Sequence, residues 1–286
     1  MRAILLDPFW TFGFMRTVLV ACLGLALANA PVGVLLLQRR MSLTADVLSH
    51  AIMPGAALGF LVAGYSLFAL SLGGIVAGIL VALLASLTAR FNGEGSEAAL
   101  AVFYLLSLAA GVLLVSLRAS NTDLMHVLFG TVLAVDQRAL VFIALVATVT
   151  LFAIAMVWRP LAVESFDPLF LRSIGGGGPV FRRLFLILTV LCLVAGFQAF
   201  GTLLAAGPLL LPAAAARHCS RDLRIQIGLA AVFGVVASVA GLLLSYHLNV
   251  PSGPAIILAG GGIYFLALLL PRRESASANA NWQPAE

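Results

Sequence analysis

Asp46 and His50 stand four residues apart at the start of an apolar run, TADVLSHAIMPGAALG. On a helix that spacing puts both side chains on one face, about one turn apart. A carboxylate oxygen and an imidazole nitrogen presented together make half of a site for a divalent transition ion such as zinc, manganese or iron, rather than for calcium or magnesium. A plainer use is open to the same residues, with Asp46 capping a helix N-terminus and His50 sitting as a polar group at a membrane interface. Thr44 and Ser49 are then capping or supporting hydroxyls. The other histidines, His126, His218 and His247, are further candidate ligands, each at the end of an apolar segment where histidine is ordinary. Ionisable groups inside apolar sequence are costly and mark functional sites by default. The alternative chemistry for the pair is a proton relay in a secondary carrier that needs neither ATP nor a partner.

The rest of the chain removes most competing chemistries. None of its 16 basic residues is a lysine. That excludes a Walker A loop and a Schiff-base enzyme, both of which need the lysine amine. No H-E-x-x-H or G-x-S-x-G occurs, and the glycine run 175–178 reads as a flexible turn rather than a phosphate cradle. The arginines are scattered singly or in pairs at the ends of apolar runs, which argues against nucleic acid and for charges that set membrane topology. Cys22, Cys192 and Cys219 show no C-x-x-C spacing, so neither a disulfide nor a thiolate metal site is expected. The chain is not expected to be an enzyme.

The elements that must position Asp46 and His50 follow from composition. Of 286 residues 62% are apolar and 9% charged, with a mean hydropathy of +1.13. A soluble domain carries roughly 25% charged residues. Apolar runs of spanning or near-spanning length fall at about 14–37, 46–64, 67–89, 98–117, 139–158, 184–206, 225–248 and 254–270. The expected fold is therefore all-α, a polytopic membrane protein of about eight transmembrane helices. Two shorter apolar pieces, 124–135 and 201–216, the second broken by Gly207-Pro208 and Pro212, are expected as re-entrant or broken segments. Ala28-Asn29-Ala30 imitates a signal-peptide cleavage site, but the apolar run continues to Leu37, so an uncleaved first helix is expected. Residues 1–271 form a single transmembrane domain and 272–286 a disordered tail.

One polar connection is long, 159–183, and is taken as cytoplasmic because it carries Arg159, Arg172, Arg182 and Arg183. Arg217, Arg221, Arg224, Arg272 and Arg273 join them on that side. The arginines of the N-terminal half balance equally well with either end of the chain inside. A shift of the sequence by 168 residues matches Gly33 with Gly201 and His50 with His218. Read as a parallel repeat, it favours a cytoplasmic N-terminus.

Four stretches carry a resemblance. LLLQRRMSLTADVLSHAIMPGAALGF resembles the signature of the ABC-type permeases for zinc, manganese and iron, which runs R-R-M, then G-D-x-L-x-H-x-x-x-P-G-x-A-x-G. NTDLMHVLFGTVLAVD is similar to that family's middle segment, FDPLFLRSIG to its cytoplasmic docking loop, and SYHLNVPSGPAIIL to its last extracellular turn. The resemblance implies the permease subunit of a metal importer in the bacterial inner membrane. It implies a homodimeric or paired permease, embedded in membrane lipid, driven by a separate cytoplasmic ATPase and fed by an extracytoplasmic metal-binding protein. It implies that Asp46 and His50 hold the transported ion, with no permanently bound cofactor. It places the ATPase contact on 164–175, including Glu164, Phe166, Asp167, Leu169, Leu171 and Gly175. Three departures stand out: Ala45 where the family has Gly, Leu171 where a small Ala is common, and Asn249 where Asp is frequent.

Overall fold

The computed structural model describes residues 12–64, 66–91, 96–116, 135–173, 177–201 and 204–270. Those residues fold into eleven helices and no strand. They are α1 Gly13–Gln38, α2 Ser42–Ala63, α3 Leu67–Phe91, α4 Ser96–Ser116, α5 Gln137–Met156, α6 Trp158–Phe166, α7 Pro168–Ser173, α8 Gly178–Phe200, α9 Gly207–Cys219, α10 Leu223–Leu248 and α11 Ser252–Leu269. Among the described residues, seven helices are long and apolar enough to cross a membrane: α1, α2, α3, α5, α8, α10 and α11. The 21-residue α4 is of spanning length, with a shorter apolar stretch at Val102–Leu114. Each of the eight apolar runs thus has its helix. Polar side chains mark several starts: Asp136 accepts from the Ala139 amide at 2.7 Å to open α5, and Asp222 accepts from Arg224 and Ile225 to open α10.

The broken piece expected at 201–216 is α9. Its 13 residues extend about 20 Å, short of the roughly 30 Å hydrocarbon layer. Gly201, at φ +81°, ends α8, and Gly207-Pro208 begins α9. The other expected piece, 124–135, lies outside the described residues except for Val135, as does the tail 272–286.

Contacts fix which helix ends lie together. Leu37 and Gln38, closing α1, meet Arg217 at the end of α9 and Gln226 near the start of α10. Arg39 meets α6 and Phe185 near the start of α8. At the opposite face Val18 and Ala21 of α1 pack with Ala139, Phe200, Leu242 and Ile256. Among the described residues, Arg39, Arg40, Arg159, Arg182, Arg183, Arg217, Arg221 and Arg224 gather at the first face, against Arg16 and Arg138 at the other. By the positive-inside rule the first face is read as the cytoplasmic one, the side expected for 159–183.

The parallel repeat does not survive this layout. α1 descends toward the cytoplasm while α8 ascends from it, because the end of α1 meets the start of α8. The stretches matched by the 168-residue shift run in opposite directions. Gly13, which opens α1, sits at the outer face, with the rings of Phe12 and Tyr246 in tilted contact, centroids 6.1 Å apart. The balanced arginine count is settled by contacts instead.

Small residues let backbones meet. A Cβ on Gly55 of α2 would strike the carbonyl oxygen of Gly73 on α3, and one on Gly73 would strike that of Gly55. Gly59 comes equally close to Ala69. Gly55 and Gly59 form a G-x-x-x-G ridge facing Ala69 and Gly73, the small-residue pattern that supports close helix packing in lipid. The helix bearing the Asp-His pair is thus dovetailed into α3.

Candidate metal site

Three residues, Arg39 to Met41, turn the chain from α1 into α2, with Arg40 in the left-handed region at φ +56°. The Met41 amide donates to Leu36 across the turn at 2.9 Å. α2 then starts at Ser42 with no side-chain cap. Asp46 is inside the helix rather than at its end, so the capping reading does not apply to it. Ser49 donates to the Asp46 carbonyl at 2.7 Å, a bond within the helix.

The pair shares a face as the spacing requires. His50 Nε2 lies 3.9 Å from Asp46 Oδ1, beyond hydrogen-bond length. Two ligands of one tetrahedral ion, at about 2.0–2.1 Å from it, sit roughly 3.3–3.4 Å apart, so closing by about half an ångström suffices. Their surroundings differ. The Asp46 side chain is 53% exposed, whereas that of His50 is 7% exposed. The His50 ring meets Tyr104 of α4 edge to face, centroids 4.8 Å apart, and its Nδ1 is buried without a hydrogen-bond partner. Tyr104 had no signal in the sequence, since one aromatic in an apolar span reads as packing. No group of three or more His, Cys, Asp or Glu converges among the described residues. Within them the site is therefore a two-residue half-site open on its Asp46 side.

The other histidines are not brought to it. His247 is exposed at the outer end of α10, edge to face with Tyr246. It precedes a turn in which Asn249 adopts φ +52° and Ser245 donates to the Val250 carbonyl. Asparagine tolerates that left-handed cap, which is a structural reason for its presence there. His218 lies at the cytoplasmic end of α9, lining a polar cavity of about 330 Å³ with Arg217 and Arg221. Two guanidinium groups make that a poor place for a dication. His126 lies outside the described residues.

The residues expected to meet the ATPase divide. Phe166 and Asp167 are exposed at the junction of α6 and α7, where Asp167 accepts from the Phe170 amide at 2.9 Å. Glu164 and Leu171 turn inward. Leu169 belongs to α7, and Gly175 lies outside the described residues. Glu164 Oε2 is 2.6 Å from a terminal nitrogen of Arg39, with side-chain exposures of 8% and 6%. Arg39 Nε donates to Ser165 Oγ at 3.0 Å, and the guanidinium lies 4.2 Å over the Phe185 ring. Burial pulls the Arg39 pKa below its ordinary value, and Glu164 pulls it back up. Sequence reasoning passed over Arg39 because an arginine at the end of a span reads as a topology charge.

The chain as a whole is similar to known proteins. Residues 11–271 match the ABC 3 transport family. The manganese import system permease protein ScaB of Streptococcus parasanguinis is 30% identical over 275 residues, 96% of this chain and 97% of that one. The zinc transport system membrane protein TroC of Treponema pallidum is 30% identical over 272 residues, 91% and 90% of the two chains. A solved structure of PsaBC from Streptococcus pneumoniae in complex with Fab superposes with a TM-score of 0.85 at 30% identity, covering 97% of this chain and 99% of that one.

Proposed function

The chain belongs to the ABC 3 transport family, and from that premise we propose that it is the membrane permease of an ATP-driven importer carrying manganese or zinc across the bacterial cytoplasmic membrane. It is a transport subunit rather than an enzyme. Hydrolysis of ATP belongs to a separate cytoplasmic subunit, and an extracytoplasmic binding protein delivers the ion. The observation that supports a metal path most directly is the pair Asp46 and His50, one turn apart on α2, about 6 and 12 Å from its cytoplasmic start.

Asp46 and His50 receive the dication from the outer side. The imidazole is neutral when it binds, and the carboxylate offsets one positive charge. Ferrous iron suits the same donors. Asp46 faces outward from the single chain, so a second copy of the chain across a homodimer interface completes the site. Lipid covers the remaining apolar outer face, which includes Val62, Phe152 and Leu258. Phe166 and Asp167 offer the ATPase its contact, and its closure rearranges the helices so that the ion loses its ligands toward the cytoplasm.

The test is uptake of manganese and of zinc into proteoliposomes holding this chain with its ATPase subunit. Uptake should require ATP and the binding protein. Equal uptake by the chain alone without ATP would overturn the reading in favour of a carrier.

A further inference from the structure

A topology arginine has no reason to be buried. Arg39 is 6% exposed, its fork spent on Glu164, on Ser165 Oγ and, at 3.4 Å, on the Leu161 carbonyl, with its face on Phe185. All three polar contacts are on α6, and the aromatic one is on α8. One side chain from the α1–α2 turn therefore grips the segment that carries the exposed Phe166. Taking both charges out of water is costly, and such a pair is a poor source of net stability compared with apolar packing. Its distinctive property is geometric. A planar guanidinium bonded to Ser165 and to the Leu161 carbonyl, and ion-paired with Glu164, fixes distance and angle together, which a lysine could not do.

The turn it grips is short. Arg39 is followed by the left-handed Arg40 and by Met41, and α2 begins at Ser42 with Asp46 one turn further on. Little slack lies between the guanidinium and the metal pair. We propose that the Arg39–Glu164 pair is a positioning joint that ties α6 to the base of α2, so that displacement of the ATPase-facing segment is delivered to Asp46 and His50. The proposal rests on the importer reading above and deepens it by naming the link between the two sites. Neither residue touches the ion.

A joint and a merely structural ion pair differ in what their loss changes. A structural pair lowers the amount of assembled complex, and uptake and ATP hydrolysis fall together. Loss of a joint changes their ratio. The experiment measures metal taken up per ATP hydrolysed in proteoliposomes of the full complex, for wild type, Glu164→Gln, Arg39→Lys and Ser165→Ala. For Glu164→Gln and Arg39→Lys the ratio should fall at least about fivefold, the lower end of typical coupling between sites, with the ATPase subunit still bound. Ser165→Ala leaves both charges in place and removes one bond of the fork. It should lower the ratio by about twofold, and it carries the test if the charge variants do not assemble. An unchanged ratio in the variants that assemble overturns the joint. Absence of ATP-driven uptake by wild type would overturn the importer reading itself, and so the two failures are distinct.

Discussion

Alanine at Asp46 or His50 should abolish high-affinity uptake, and the pair should behave as one site. Loss of even an outer-shell partner of a metal ligand costs 10–100-fold in affinity or activity, so loss of a ligand itself should cost at least about 100-fold, close to 2.8 kcal/mol. Because His50 Nε2 and Asp46 Oδ1 are within about half an ångström of sharing an ion, the first deletion already leaves a single donor. The second deletion should add no more than about threefold, giving a coupling of about 2 kcal/mol in a double-mutant cycle. Stability separates the two variants. Asp46 is half-exposed, so Asp46→Ala should cost under about 0.5 kcal/mol. His50 is buried against Tyr104, and its removal leaves a hole costing roughly 1–3 kcal/mol. The assay is half-saturation of metal uptake in proteoliposomes of the full complex, with melting temperature measured on the same preparations. Wild-type half-saturation in either single variant, or losses that simply add, would refute a shared site.

Other perturbations probe the frame around that site. Gly73→Val drives a side chain into the Gly55 carbonyl, a backbone atom that cannot rotate away, and should destabilise by about 3 kcal/mol, whereas Gly228→Ala meets nothing and should be near neutral. Melting temperatures in detergent check both. A cysteine at Phe166 should crosslink to the ATPase subunit and one at the inward-facing Leu171 should not; labelling at position 166 by an impermeant reagent outside intact cells would invert the topology. His247→Ala should slow uptake when metal is scarce and delivered by the binding protein, with little change at saturating supply. Identical uptake curves for mutant and wild type under scarce metal would leave His247 without a part in transport.

The helices were legible because hydrocarbon thickness imposes a length on apolar runs, and the Asp46–His50 face follows from i,i+4 spacing alone. Direction was not legible. In a Leu- and Ala-rich background, residues match at many shifts, and only contacts such as Arg39 on Phe185 show α1 and α8 antiparallel. The apolar run marks the start of α2 at 46, while the helix begins at Ser42, because Ser42, Thr44 and Asp46 make its first turns polar. That offset is what made a cap of Asp46 plausible. Inward and outward positions on the docking segment were also hidden. Glu164 is a charge beside exposed Phe166, and nothing local says that Arg39, 125 residues earlier, has claimed it.

The dovetail of Gly55 into Gly73 has a mechanical consequence. Helices in backbone contact cannot slide past one another by re-choosing side-chain rotamers, so any swing of α2 about the turn at Arg39 to Met41 would carry α3 with it as a single lever. His50 stands about 12 Å along that lever and Ala63 about 32 Å, at 1.5 Å per residue from Ser42. A tilt of roughly 10° would move Asp46 by about 1 Å, His50 by about 2 Å and the outer tip by about 6 Å. A metal bond tolerates a shift of only about 0.2 Å, so the smaller motion already strips any ligand supplied from outside the lever. If Asp46 and His50 hold the ion as proposed, one modest stroke at the cytoplasmic end would part it from ligands outside the lever and move the outer end of α2 about three times as far as His50.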